Sequence, residues 1–316
     1  FEATFPWKNA DLTLNDLSGQ LLEPTLVEAL DQPPKEYKAE YRFPKNLRPY
    51  THQLAAWRVL LDSKQDKKQS VVVTSGTGSG KTECFLIPIL NDLAGEYRQS
   101  QKTLEGVRAL FLYPLNALIE SQKERLNAWT HSFGSGIRYC LYNGLTPERP
   151  PKKAVNQCPN AVESRRQLRD SPPPILVTNA TMLEYMLVRT NDRPIIDRSQ
   201  GQLRWIVLDE AHTYLGSQAA EISLLLRRVM LAFNVFASDV RFIATSATIG
   251  SDESAKQRLK TFLARVGGIS EEQVVVIGGE KTIHALPDEV ANLAGMSYQN
   301  ISEIKDANQR FLSLAS

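Results

Sequence analysis

Seven short apolar runs punctuate the chain, at residues 71–74, 109–113, 137–142, 175–178, 205–208, 241–245 and 274–277. They are continuously apolar rather than alternating, the pattern of parallel strands covered by helices on both faces. Between them lie stretches of helical period at 115–129, 218–233 and 252–266, the last with Ser251 placed as its N-cap. The repeat of run, turn and helix from residue 47 to 279 predicts an α/β fold built on a doubly wound, mostly parallel sheet. In such a sheet ligands sit beyond the carboxyl ends of the strands. The unusual polar strings of this chain each follow an apolar run, so they are expected along one edge of the domain.

The flanks read differently. Residues 1–46 carry Pro6, Pro24, Pro33, Pro34 and Pro44 among short leucine clusters, which predicts an accessory segment packed on the 47–279 domain. The stretch 146–174 holds Pro150-Pro151, Lys152-Lys153, Arg165-Arg166 and three prolines from Pro172, and reads as an inserted loop with one short basic helix. Residues 280–316 turn polar and read as the start of a following helical region. The absence of an initiator Met suggests a piece of a longer chain.

Two strings carry the chemistry. Ser75-Gly76-Thr77-Gly78-Ser79-Gly80-Lys81-Thr82 follows the first run and opens a helix. Glycines let backbone N–H groups turn toward phosphates, the helix start adds its unpaired N–H groups, Lys81 adds a mobile positive charge, and Thr82 offers a hydroxyl to magnesium. Ser75 stands where Gly or Ala is usual and is small enough for the same turn. Pro88, inside the helix, deletes the N–H that would pair with the Cys84 carbonyl and predicts a kink. Asp209-Glu210-Ala211-His212 follows the run at 205–208. Asp209 supplies a second carboxylate-type partner for magnesium, and Glu210 a base that orients and deprotonates water. His212 reads either as a loop histidine with its own hydrogen bonds or as a relay of nucleotide state. Upstream, Gln53 carries an amide whose donor and acceptor suit the adenine edge. Together these predict an ATP hydrolase that uses ATP and Mg2+.

Composition narrows the setting. Of 316 residues 42% are hydrophobic and 23% charged, and 37 basic against 35 acidic residues leave +2, so any nucleic-acid surface must be local. No run approaches the about 18 apolar residues of a membrane span. Cys84, Cys140 and Cys158 are scattered, without a paired spacing, which fits a reducing, cytoplasmic setting better than a disulfide framework. Arg165, Arg166 and Arg169 share a helix face by spacing, either solvated or touching DNA.

The ordered set of motifs resembles the first RecA-like domain of superfamily-two DEAD/DEAH-box helicases, over residues 47–276. The match is tightest at Leu208-Asp209-Glu210-Ala211-His212-Thr213-Tyr214, at Gln218 to Glu221 with Leu224 to Arg228, and at Phe111 to Leu118. These phrases look like the large bacterial DEAH helicases that include mitomycin-repair enzymes and the Druantia type of anti-phage defence. The resemblance implies that Pro114, Asn116, Asn143, Gly144, Thr178 and Asn179 hold a nucleic-acid backbone. It also implies that Ser246 and Thr248, with His212, couple hydrolysis to strand movement. It implies a second RecA-like domain of the same parent chain that supplies an arginine finger, so the isolated piece is expected to be nearly inactive. Partners are then single-stranded or partly duplex DNA, and no membrane. An RNA helicase and a nucleotide-gated nucleic-acid scaffold without translocation stand as alternatives.

Overall fold

The computed structural model describes residues 6–62, 67–76, 78–150, 159–214, 216, 218–246 and 253–282. The apolar runs form one sheet of eight strands, β1 (Ser70–Thr74), β2 (Ala109–Leu112), β3 (Tyr139–Leu141), β4 (Ala161–Val162), β5 (Ile175–Thr178), β6 (Trp205–Leu208), β7 (Arg241–Ser246) and β8 (Val274–Gly278). Their order is β4-β3-β5-β2-β6-β7-β1-β8, and every neighbouring pair is parallel. The helices are α1 (Leu14–Leu17), α2 (Pro24–Asp31), α3 (Lys38–Tyr41), α4 (Thr51–Leu61), α5 (Lys81–Ser100), α6 (Asn116–Ser121), α7 (Lys123–Thr130), α8 (Arg165–Asp170), α9 (Ala180–Val188), α10 (Arg193–Asp197), α11 (Gln218–Ala232) and α12 (Glu253–Gly267).

The runs are continuously apolar because both faces are buried. Alternation sends Val71, Val73, Phe111, Val177, Val207 and Ile243 to one face, where they meet Trp57 of α4, Phe85 of α5 and Trp129 of α7. Val72, Leu110, Leu112, Leu176, Ile206, Leu208 and Ala244 point the other way, onto Leu183 of α9, Leu226 of α11 and Leu263 of α12. A one-residue slip in any strand would exchange the two cores, so the register is strongly specified.

Asn9–Gly279 forms one compact unit. Within it the proline-rich start joins the first core through Leu14, Leu17, Leu26 and Leu30. Polar ties fix it there: Glu23 N–H donates to Asn91 Oδ1 at 2.6 Å, and Trp129 Nε1 donates to the Tyr41 carbonyl at 2.7 Å. Residues 6–8 and 280–282 belong to a second, small unit, in which Lys8 N–H bonds the Glu280 carbonyl at 2.9 Å. The stretch expected to be helical after Gly279 lies, beyond Thr282, outside the described residues, as does Ser251.

Two local expectations change. The helix expected over 115–129 is two helices, because Gln122 N–H pairs with the Ile119 carbonyl at 3.1 Å, a tight turn that ends α6 before α7 begins. The inserted stretch contributes α8 and also the edge strand β4, whose two residues are too few to show a period. Helix α5 runs from Lys81 to Ser100 with Pro88 inside it.

Candidate functional site

β1 ends at Thr74 in the interior of the sheet, and the chain turns through the glycine-rich loop into α5. Gly78 and Gly80 have φ of +73° and +71°, a left-handed conformation that strains any side-chain-bearing residue. Gly80 is needed for space as well: a Cβ there would stand 2.2 Å from Gln53 Nε2. Ser75 and Ser79 are buried and share a hydrogen bond between their hydroxyls at 2.6 Å. Lys81 Nζ donates to the Ser75 and Gly76 carbonyls at 3.1 and 3.3 Å, so the ammonium lies folded over the loop. Thr82 follows it, half-buried, in the first turn of α5, while Thr77 lies outside the described residues. His52 Nε2 stands 2.8 Å from the Ser79 carbonyl. Gln53 is buried, and its amide is spent on backbone: Oε1 accepts from Tyr50 N–H at 2.9 Å and Nε2 donates to the Gly80 carbonyl at 3.2 Å. Gln53 thereby ties the start of α4 to the phosphate loop.

Two strands over from β1, beyond β7, β6 delivers Asp209 and Glu210. Asp209 N–H extends the ladder to the Leu112 carbonyl at 3.0 Å, and Glu210 then breaks from it with φ +49°. The Thr245 hydroxyl at the end of β7 donates to Asp209 Oδ1 and accepts from Glu210 N–H at 3.2 Å, fixing both residues. Burial pushes the Asp209 carboxyl above its ordinary range; the Thr245 bond opposes this and the Glu210 charge adds to it. Glu210 Oε2 stands 3.3 Å from His212 Nδ1 without an aligned hydrogen bond. The hydroxyls of Tyr113, Tyr214 and Ser246 are likewise buried, with no hydrogen-bond partner among the described residues. Such atoms are rare in native proteins and cluster where a ligand or water completes them. Among the described residues no group of three or more His, Cys, Asp or Glu forms a metal cage. One carboxylate and one hydroxyl beside a phosphate cradle fit magnesium, which is held by few protein oxygens together with phosphates and waters.

The same edge carries a groove of about 690 Å³ lined by Tyr113, Pro114, Asn116, Asn179, Thr213 and Tyr214, among others. Asn179 Nδ2 donates to Asn116 Oδ1 at 2.8 Å, while Asn179 Oδ1 caps α9 by accepting from Met182 N–H at 2.8 Å. Gly144 is exposed. Two neighbours turn inward instead. Asn143 is buried, with Nδ2 on Glu120 and Oδ1 accepting from Leu145 N–H, and Thr178 is fully buried with its hydroxyl on the Tyr142 carbonyl at 2.6 Å. Their side chains shape the loops rather than face a strand. Arg165 and Arg169 are also not a solvated pair. Arg165 donates to the Thr146 and Asn143 carbonyls, and Arg169 pairs with the fully buried Asp192 at 2.9 Å and with Glu148; Arg166 remains exposed. Ser246 is buried at the end of β7, and Thr248 lies outside the described residues. The sequence left Thr245, Tyr113 and Tyr214 unmarked; the only signal for them is position, each adjoining a strand end or motif.

A glycine-rich phosphate loop, a carboxylate pair two strands away and a polar groove along one edge of a parallel sheet define a nucleotide-driven motor domain. The chain belongs to the DEAD/DEAH box helicase family, whose model matches residues 50–256, and is an ATP-dependent helicase motor domain. It is 27% identical to the Druantia protein DruE of Escherichia coli (strain UMEA 4076-1) over 74% of this chain and 18% of that protein. It is 30% identical to the uncharacterized ATP-dependent helicase YprA of Bacillus subtilis (strain 168) over 66% of this chain and 24% of that one. The DUF1998 helicase MrfA bound to DNA and AMPPNP superposes with a TM-score of 0.55 at 25% identity, covering 86% of this chain and 30% of MrfA. These likenesses set the chain in the Druantia and MrfA type of superfamily-two helicases. It spans about a fifth to a quarter of the length of the two curated relatives. Among the described residues no helix is long and apolar enough to cross a membrane.

Proposed function

We propose that this chain is the ATP-binding motor half of an ATP-dependent DNA helicase or translocase that acts in the cytoplasm in genome maintenance or anti-phage defence. The observation that carries the reading is the convergence of the phosphate loop, Asp209 with Glu210, and the Asn116–Asn179 groove at the carboxyl ends of neighbouring parallel strands. The loop N–H groups from Ser75 to Gly80 cradle the triphosphate, and Lys81 leaves the Ser75 and Gly76 carbonyls for the β- and γ-phosphates. Thr82 and Asp209 are the residues that would hold Mg2+. When bound, the ion neutralises charge on the phosphate oxygens. Glu210 orients water and takes its proton, and His212, 3.3 Å from the Glu210 carboxylate, relays the nucleotide state. Pro114, Asn116, Gly144 and Asn179 meet phosphate and sugar, which gives no base preference. Ser246, with Thr248, passes the nucleotide state onward. A second RecA-like domain of the same protein closes the cleft.

DNA is favoured over RNA by the likeness to the solved structure of MrfA bound to DNA and AMPPNP, at 25% identity, against 16% for the two solved structures of Mss116 bound to single-stranded RNA. The test is steady-state ATPase of the full-length protein with single-stranded DNA, single-stranded RNA or neither. Stimulation by DNA above RNA supports the reading. The reverse order makes it an RNA helicase, and equal rates in all three conditions make it a nucleotide-gated scaffold.

A further inference from the structure

Between the phosphate loop and the groove lies a largely buried polar cluster of Tyr113, Glu83 and Arg125. Tyr113 leaves β2 immediately before Pro114, with its N–H held by the Thr178 carbonyl at 3.0 Å. It is 1% exposed, packs in the first core, lines the groove, and has no hydrogen-bond partner for its hydroxyl among the described residues. The charged groups that act on that hydroxyl are Asp209, Arg125, Glu83 and Glu210. Burial keeps the phenol protonated, so it remains a donor.

Glu83 lies in the first turn of α5, two residues past Lys81, and is itself buried. Its carboxylate lies beside Gly80 of the phosphate loop, where an added Cβ would stand 2.9 Å from Glu83 Oε2. Arg125 of α7 pairs with Glu83 at 3.5 Å and donates to Gln122 Oε1 at 3.0 Å. Its guanidinium lies over the Tyr41 and Trp129 rings, 5.8 and 5.9 Å from their centroids, and Arg125 Nε is buried with no hydrogen-bond partner among the described residues. Helices α6 and α7 run on from Asn116, so Arg125 joins the groove's helices to the helix of the phosphate loop. A buried donor left open inside a charged cluster marks an element with a second arrangement in which an acceptor is supplied.

We propose that Tyr113 and the Arg125–Glu83 pair are positioning residues that couple a nucleic-acid backbone seated on Pro114 and Asn116 to the arrangement of Asp209 and the phosphate loop. The inference rests on the function proposed above. A strand on the groove shifts the 113–116 turn, and the Tyr113 hydroxyl then donates to the Asp209 oxygen that Thr245 does not hold. Through α6 and α7 the same shift reaches Arg125, which moves Glu83 against Gly80.

The experiment uses the full-length protein with Tyr113→Phe, Arg125→Gln and both together. In Tyr113→Phe, affinity for AMPPNP stays within about twofold of wild type, while kcat at saturating single-stranded DNA falls by about tenfold at unchanged KM for ATP. Arg125→Gln shows the same split, and the double variant is no slower than the slower single variant, because the two act on one route. Full stimulation in Tyr113→Phe overturns the inference, as does additive loss in the double variant, or a loss of kcat matched by equal losses of melting temperature and nucleotide affinity. If no nucleic acid stimulates the wild type, the proposed function fails and this inference with it; a stimulated wild type beside an equally stimulated Tyr113→Phe sinks this inference alone.

Discussion

Asp209 sits under two opposed pressures: burial raises its carboxyl pKa, while the Thr245 hydroxyl favours the ionised form. Because the folded pKa is the higher one, the native state holds the proton more tightly than the unfolded chain does. The stability this contributes is present at acid pH and is lost as pH rises through the folded pKa. Asp209→Asn in magnesium-free, nucleotide-free protein is therefore expected to raise the melting temperature at pH 7, with the gain shrinking as pH falls toward about 4, the ordinary range of the carboxylate. A melting series across pH reads this directly. Thr245→Val removes the atom that fixes Asp209 and Glu210 together; turnover of the full-length protein should fall by about 10- to 100-fold with AMPPNP binding retained, and a variant of undiminished kcat would show that the hydroxyl plays no part. Lys81→Ala and Glu210→Gln should separate binding from chemistry. The first weakens triphosphate affinity, and the second leaves it intact while kcat drops by about 10²- to 10⁴-fold.

At the scale of elements, α5 carries the phosphate loop at one end and is bolted to the opposite ends of β2 and β6 by its other half. Asp92 accepts from Arg204 Nε at 2.6 Å and from Trp205 Nε1 at 2.7 Å, and Glu96 pairs with Arg108 at 2.6 Å and with Arg204. Arg241 lies over the Trp205 ring at 5.0 Å, closing the cluster beside β7. Asp92→Ala leaves the indole N–H and a guanidinium without their acceptor, a loss of about 1–3 kcal/mol. Urea unfolding of the variant should show that loss, while AMPPNP affinity, set at the far end of the helix, stays at the wild-type value. An equal loss of affinity would mean that α5 transmits strain along its length. The edge formed by β3, β4 and β5 is held differently, by the buried Asp192 between Arg169 and the Tyr142 hydroxyl. Burial with that carboxylate pushes the Tyr142 phenol up to about 12, which keeps it a donor.

For the whole molecule, the proposed function makes the single parallel sheet one half of a cleft and of a strand-binding groove. Residues 1–316 alone should bind ATP yet hydrolyse it slowly, because an arginine finger from outside contributes about 10³ to 10⁵ in rate in comparable phosphoryl transfer. Vigorous, nucleic-acid-stimulated turnover at low protein concentration by this chain alone would contradict that. Its affinity for single strands should be weak and independent of sequence. The salt slope should be about −0.7 per phosphate contact, measured by anisotropy across a salt titration.

The sequence by itself determined the layered α/β plan and which edge carries its motifs. Continuous apolar runs imply strands covered on both faces, and the residue types and spacing of Gly78, Gly80, Lys81, Asp209 and Glu210 mark the family and the candidate phosphate site. What the tertiary structure alone decided lies between strands that are neighbours in space and distant in the chain. β1 sits between β7 and β8, and Thr245 reaches Asp209 across 36 residues. Whether an Asn or Thr after a strand faces a ligand or the core depends on which loop packs over it. Asn143 and Thr178 were spent inward, on Glu120 and Tyr142, whereas Asn116 and Asn179 were left along the groove. The same holds for Gln53 and for Tyr113: a side chain's type is local, but its partner, or the want of one, is set by packing among segments that no short window of sequence contains.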